Sequence, residues 1–282
     1  MAQGFLQVLG LIRWSYPSNL DAFQIEAATL ADLRAELYAP ARLEERLFYL
    51  EHLTLPCLAA QTDKNFRVVM LMGEELPEPW RGRVLEAIAA VPNVTPVFEQ
   101  EGQQHRDTCR KVMRAHRNLN AAAVAEFRLD DDDAIAVDFV ETTRRSFRRH
   151  RRLMEERGKF ALDHTRGLAM VLEKDAASLH PVFAHLWVAG LALVYPPQHR
   201  KSILDYPHKR LWMAMPNLTS PSQIGFVRGV HGSNDSAIGQ GVSKLPAWPL
   251  EGIDEQEMMQ DRFGIDWARL REAWAQRHGI KA

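Results

Sequence analysis

The stretch Ala121-Ala122-Ala123-Val124-Ala125-Glu126-Phe127-Arg128-Leu129-Asp130-Asp131-Asp132-Asp133-Ala134-Ile135-Ala136-Val137 runs from an apolar segment through four consecutive aspartates and back into an apolar segment. Val124 to Leu129 reads as a strand. Adjacent like charges raise one another's pKa, so the acidic run is costly unless a metal ion or basic groups neutralise it. In open α/β sheets ligands bind outside the carboxyl ends of the strands, and the quartet follows such an end. A solvated acidic loop or a helix N-terminus would also favour Asp, but solvated runs are seldom wedged between two apolar segments. The reading is a metal-dependent site. Carboxylates without a Cys pair select Mg²⁺ or Mn²⁺. Such ions commonly bridge one or two carboxylates to substrate phosphates, so a phosphorylated substrate is expected.

Outward from the quartet, the N-terminal half alternates. Leu6 to Ile12, Phe66 to Met72, Val94 to Phe98 and Val124 to Leu129 read as strands. Between them, Leu43, Leu47 and Leu50 share one helical face, Pro56 can open a further helical turn, Pro79 opens a helix carrying Trp80, Val84 and Ile88, and residues 107 to 120 form another helix. This alternation predicts an α/β fold, with a mostly parallel sheet covered by helices on both faces. A helix is expected from Asp138 to about Arg157. Beyond it the alternation fails, which predicts a smaller mixed or antiparallel region over Phe160–Leu162, Leu168–Leu172 and Trp187–Tyr195. Residues 217 to 247, rich in Gly, Ser, Pro and Asn, read mostly as loop. Asp266 can cap a last helix that docks Trp267, Leu270 and Trp274. The expected organisation is one domain, with a first half over 1–137, a second half over 138–250 and a C-terminal helical segment over 251–282.

Composition supports an ordinary globular chain: 282 residues, 46% apolar, 25% charged, net charge −1. Cys57 and Cys109 have no metal-like spacing and fit a reducing cytoplasm. No basic n-region precedes the first apolar run, and the longest such run, Phe183 to Tyr195, is too short to span a bilayer. A cytoplasmic location is expected. With net charge near zero and no nucleic-acid-binding motif, nucleic acid is not an expected partner.

Three segments carry a family resemblance: P-C-L-A-A-Q-T-D-K-N-F-R-V-V-M-L-M at 56–72, A-V-A-E-F-R-L-D-D-D-D-A-I at 123–135 and G-F-V-R-G-V-H-G-S-N at 225–234. The chain resembles GT-A-fold glycosyltransferases and, more narrowly, a bacterial rhamnosyltransferase family. The resemblance implies a GT-A-like, Rossmann-like sheet, with a nucleotide-sugar-binding half over 1–137 and an acceptor-side half over 138–250, and a D-x-D motif. The motif's aspartates hold Mn²⁺ or Mg²⁺ against the diphosphate of a nucleotide-sugar donor. It places Asp130 near the ribose or the metal's waters and Asp132 on the metal; the run leaves the register open, so Asp131 and Asp133 stay candidates. It also suggests His231 as a late metal ligand, with Asn234 beside it. The family implies a donor such as deoxythymidine-diphosphate rhamnose and a saccharide or lipid-linked acceptor.

Other candidates come from position. Arg13, ending the first strand, lies at the same sheet edge as Asp130 and can reach a phosphate. Arg128 lies next to the quartet, where its simplest role is to neutralise it. Arg106, Arg110 and the His199-Arg200-Lys201 cluster are further diphosphate candidates. An inverting reaction needs a base beside the acceptor hydroxyl, for which Asp163, Asp205 and Asp235 are available. The arginines between 144 and 152 form a basic helix, either a solvated face held by i, i+4 pairing or a contact to lipid phosphate or a membrane surface. A metal-dependent nucleotidyltransferase or phosphohydrolase, or a nucleotide- or sugar-binding protein without catalysis, are the alternatives. Neither a P-loop nor a G-x-G-x-x-G is present.

Overall fold

The computed structural model describes residues 4–19, 27–173, 176–230 and 245–279. The first half alternates as its periodicity predicts. Strands β1 (Leu6–Arg13), β2 (Arg67–Gly73), β3 (Val94–Glu99) and β4 (Ala123–Arg128) are mutually parallel, in the spatial order β3-β2-β1-β4. Helices α1 (Leu30–Leu37), α2 (Pro40–Tyr49) and α3 (Leu55–Ala59) precede β2. The five-residue π-helical turn Leu50–Thr54 joins α2 to α3, so the turn expected at Pro56 continues a longer helix. Helices α4 (Trp80–Ala89) and α5 (His105–Ala115) form the next crossovers.

Alternation along β1 explains why both faces are covered. Val8 and Ile12 pack with Leu43, Leu47, Val84 and Ile88 of α2 and α4. Leu9 and Leu11 point the other way, into a cluster with Cys109, Val112 and Met113 of α5. Gly10 sits against the Phe127 ring, and a Cβ there would lie 2.4 Å from it.

The second half completes the same sheet. Strands β6 (Phe160–His164) and β10 (Asn217–Ser220) run parallel to β4, and β9 (Leu191–Tyr195) is inserted antiparallel between β4 and β6. The seven-strand order is β10-β6-β9-β4-β1-β2-β3. A second, mixed sheet of four strands has the order β5-β11-β7-β8, from β5 (Asp133–Ile135), β7 (Arg166–Leu172), β8 (Ala177–Phe183) and β11 (Phe226–Val230). The mixed region predicted after the alternation fails is therefore present. Helices α8 (Glu255–Phe263) and α9 (Trp267–Arg277) close the chain. Asp266 accepts from the Arg269 N–H as its N-cap, and Trp267, Leu270 and Trp274 are buried.

Three expectations need correction. Residues 217–247 are not mostly loop up to Val230, because they contribute β10 and β11. The partners of β11 lie at 133–135 and 167–171, so neighbouring Gly and Ser could not reveal the pairing. The helix expected over 138–157 is two, α6 (Phe139–Arg149) and α7 (Arg151–Arg157), broken at His150 with φ −108° and ψ 28°. The helix expected to reach 120 ends at Ala115 and starts earlier, with Gln104 accepting from the Asp107 N–H.

Candidate active site

Strand β4 runs out at the carboxyl edge of the large sheet, and the four aspartates form the turn that carries the chain into β5 of the small one. The Asp133 N–H donates to the Asp130 carbonyl at 3.1 Å. The turn is held from beneath by the π-helical segment, whose Thr54 hydroxyl lies 2.9 Å from the carbonyls of both Asp131 and Asp133. Extra-wide helical turns of this kind frequently occur at functional sites. Gln61 supports the segment that follows, donating to the Ala136 carbonyl and accepting from the Val140 N–H. From the other side β11 closes in: the Gly229 N–H donates to the Asp132 carbonyl at 2.9 Å, and a Cβ at 229 would lie 2.3 Å from that oxygen. Only glycine allows this approach.

The four carboxylates have different surroundings. Asp130, the most open at 24% side-chain exposure, lies 3.5 Å from Arg13 and 3.3 Å from Arg128. Burial works to raise its pKa, but Arg128 and Arg13 outweigh this and hold it below the usual carboxylate range. Asp131 and Asp132 share Arg46 of α2, at 2.9 and 3.2 Å. Burial, aided by Asp132 and opposed by Arg46, pushes Asp131 up to about 6. Asp133 is 1% exposed. Its Oδ1 accepts from the Gly229 N–H at 3.2 Å, while Oδ2 is buried without a hydrogen-bond partner among the described residues. Burial and Asp132 raise its pKa well above the ordinary value, against the pull of Arg228.

Four arginines thus face four aspartates, so of the two ways of neutralising the run, a metal ion or basic groups, the structure supplies the second. Arg13 and Arg128 are sequence candidates brought to the turn. Arg46 and Arg228 are not readable from local sequence: Arg46 is 85 residues from its partner Asp131, and Arg228 lies opposite Asp133 through the β11–β5 pairing. The chemistry of the donor set suits Mg²⁺ or Mn²⁺, since all donors are hard oxygens and one, Asp133 Oδ2, is buried and unpartnered among the described residues. Among the described residues no group of three His, Cys, Asp or Glu is gathered to hold a metal. A cation here would therefore need water, ligand phosphate or residues beyond those described to complete its shell. His231, Asn234 and Asp235 lie outside the described residues.

Beside the turn, His105 at the start of α5 meets the Arg13 guanidinium at 3.1 Å through Nε2 and the Ser18 hydroxyl at 3.1 Å through Nδ1. Burial, then Arg13 and Arg128, push its pKa down to about 3, so the ring is neutral. Arg106 is exposed one residue on, near enough to weigh on the same ring. The remaining sequence candidates are engaged elsewhere. Arg110 pairs with Asp107 and with Asp205. The Asp205 carboxylate also accepts from the Ser202 N–H at 2.7 Å, closing a capping box around a short 3₁₀ turn. Lys201 lies over the Tyr206 ring, and its carbonyl accepts from Arg117.

Asp163 ends β6, two strands from β4 in the same sheet, so it shares the carboxyl edge with the acid turn, about 10 Å away by strand spacing. It is 1% exposed. Its Oδ1 accepts from the Leu186 N–H at 3.0 Å; its Oδ2 forms no hydrogen bond among the described residues but lies in ion-pair contact, 2.6 Å from His185 Nδ1. Burial raises its pKa, with His185 opposing. His185 is 56% exposed on its side chain. The backbone bends sharply here, with Leu186 at φ 58°, and Trp187 lies under the Arg228 guanidinium at 5.2 Å. Arg228 thereby links this segment to the acid turn. The sequence signal for His185 was present but muted: one ionisable residue inside an apolar run.

The architecture and the site together define an α/β protein with a seven-strand, mostly parallel sheet and an acidic turn at its carboxyl edge. The chain belongs to the family described as "Putative rhamnosyl transferase", whose model matches residues 7–241. No curated protein sequence matches it. Among solved structures, it is similar to residues 1–349 of TarS from S. aureus in complex with UDP. The TM-score is 0.42 and the identity 11%, covering 79% of this chain and 60% of that one. A longer S. aureus TarS structure gives a TM-score of 0.41 at 11% identity, covering 79% and 37%. A structure described as a putative glucose-1-phosphate thymidylyltransferase from Bacillus anthracis in complex with sucrose gives 0.35 at 10% identity, covering 78% and 89%. The family membership rests on the sequence match.

Proposed function

We propose that the protein transfers a sugar, rhamnose being the one its family's description names, from a nucleotide-diphosphate donor to a hydroxyl acceptor, with Mn²⁺ or Mg²⁺ as cofactor. The observation that carries this reading is the acid turn after β4, where Asp133 Oδ2, next to Asp132, is buried with no hydrogen-bond partner among the described residues. These two carboxylates are the ones that would hold the cation, and a cation there would supply Lewis-acid neutralisation of the diphosphate leaving group. Arg13 and Arg128, which hold Asp130 only at 3.3 to 3.5 Å, are suited to turn to donor phosphates, where guanidinium can bind two oxygens at once. Negative charge develops on the diphosphate as the anomeric C–O bond breaks, and preorganised guanidinium stabilises it best in a site shielded from water.

In an inverting displacement the acceptor hydroxyl loses its proton to a base. Asp163 is too buried to meet the acceptor. The reading therefore gives the proton to His185 Nε2, with Asp163 positioning the ring through Nδ1 and stabilising the imidazolium that forms. Asp205, committed to its capping box and Arg110, is the weaker candidate for the base.

Calorimetric titration of nucleoside diphosphates and their sugars, with and without Mn²⁺, on the wild type and Asp132→Asn tests the donor site. Nucleotide binding that needs Mn²⁺ and is lost in the variant is expected; no binding under any condition would overturn the reading. With acceptor present, the expected products are nucleoside diphosphate and a glycosylated acceptor. Release of sugar 1-phosphate would instead indicate cleavage of the diphosphate bridge, with free nucleoside monophosphate for a phosphohydrolase or a nucleotidylated acceptor for a nucleotidyltransferase.

A further inference from the structure

The opposite, amino edge of the large sheet has a different surface. Helix α6 runs past the starts of β1 and β2: Arg144 donates to the Leu6 and Asn65 carbonyls and pairs with Asp63 at 2.8 Å. Its last turn and the start of α7 therefore project beyond that edge. Arg148, Arg149 and Arg151 are exposed there, and none forms an ion pair among the described residues. Helical i, i+4 pairing accounts for Arg145 with Glu141 and Arg152 with Glu156, leaving these three outside the solvated-face explanation. The chain then enters β6 through Arg157 and Lys159, and the segment after β9 adds Arg200 and Lys201. Against these cations, α7 itself carries only Glu155 and Glu156.

Exposed apolar side chains collect along the same side. Four of the five exposed large hydrophobics among the described residues lie there: Phe5 at 46%, Leu119 at 64%, Trp212 at 65% and Met213 at 67%; the fifth, Ile253, precedes α8. Phe5 directly precedes β1 and Leu119 precedes β4; the two segments are tied by the Ala122 N–H donating to the Phe5 carbonyl. Trp212 and Met213 lie on the turn that leads into β10, where the Ala161 N–H donates to the Pro216 carbonyl. A surface groove lined by Arg110, Lys111, Arg114, Gln198 and Asp107 opens beside Leu119.

Cations that attract phosphate, interleaved with Trp, Met, Phe and Leu that gain by leaving water, are the chemistry of a surface that rests on an anionic bilayer. We propose that this amino edge docks the protein on membranes rich in anionic phospholipid, without crossing them. No helix among the described residues is long and apolar enough to span a membrane. Docked in this way, the eight-residue β1 would hold the acid turn about 25 Å from the lipid. The site would then face acceptors that extend from the surface rather than the headgroups themselves. This inference stands on the surface alone and does not depend on the transferase reading.

The test is flotation of the full chain with vesicles of phosphatidylcholine alone or mixed with phosphatidylglycerol. Binding to the mixed vesicles only, released by salt, is expected. Arg148→Glu/Arg149→Glu/Arg151→Glu should weaken it at least about a hundredfold, since each cation near such a surface is worth roughly a factor of five. Trp212→Ser/Met213→Ser should weaken it by roughly tenfold and leave the salt dependence unchanged. All these side chains are exposed, so thermal unfolding of the variants should match the wild type, separating lost docking from lost folding. Failure to float with mixed vesicles, equal flotation of the triple variant, or equal binding to phosphatidylcholine alone would overturn the proposal. Retention on a soluble polyanion such as heparin without vesicle binding would also overturn it.

Discussion

Glu126 and Asp133 are seven residues apart, each at most 1% exposed and each near an arginine, yet their surroundings differ. Glu126 is fully satisfied. Arg117 Nε donates to one oxygen at 2.7 Å, while the other accepts from the Tyr195 hydroxyl and from the Ile203 N–H at 3.0 Å. Burial and Glu126 keep Tyr195 protonated and therefore a donor. Arg117 spends its remaining four N–H groups on the carbonyls of Pro197, His199 and Lys201 and on the Tyr195 hydroxyl. Asp133 has one oxygen bonded and the other without a partner among the described residues. A buried ion pair with every donor and acceptor matched holds a fold in register. One left incomplete is a cost that a ligand can remove.

The largest expected effect falls on the complete network. Arg117→Met should destabilise the protein by about 3–5 kcal/mol in denaturant unfolding, because it strands a buried carboxylate. Nucleotide affinity of the molecules that remain folded should not change; a selective loss of affinity would break the contrast. Next comes the proposed base. His185→Gln should lower turnover by about a hundredfold or more with donor affinity unchanged, measured in steady-state and binding assays. Asp163→Asn should show a similar loss, while Asp205→Asn should not.

Asp133→Asn sharpens the contrast from the other side. Removing a carboxylate that burial already disfavours should leave stability within about 1 kcal/mol of the wild type, or raise it. Mn²⁺-supported nucleotide binding should fall by about 10–100-fold. If stability instead collapsed while binding survived, Asp133 would be architecture like Glu126.

The smallest effect concerns pH. His105 stays neutral in the folded protein down to about pH 3, whereas the unfolded ring titrates near 6.5. Protons therefore favour the unfolded chain. This contribution to stability is fully present well above pH 6.5 and is lost as the pH falls toward 3, by roughly 1.6 kcal/mol between pH 6.5 and 5. Unfolding free energies measured across that range should fall less steeply in His105→Phe than in the wild type.

Much of the fold was legible because its signals are local. The alternation in Leu6–Ile12 and Phe66–Met72, the helix carrying Val84 and Ile88, and the Asp266 cap depend on residues within one or two turns of each other. So does the acidic run, whose position at the end of a buried strand marked the edge of the sheet. Less legible were the contacts that close over long separations. The short strand β11 becomes a strand only by pairing with 133–135 and 167–171, and His185 gains its partner Asp163 across 22 residues and a sheet edge.

By itself the sequence determined the parallel half-sheet, the identity and position of the four aspartates and the family to which the chain belongs, since periodicity and residue type act over short range. The tertiary structure decided which aspartate is open, which is shared by Arg46 and which is left unpartnered among the described residues. Charge balance and burial are set by side chains brought together from distant parts of the chain, and no local pattern encodes them.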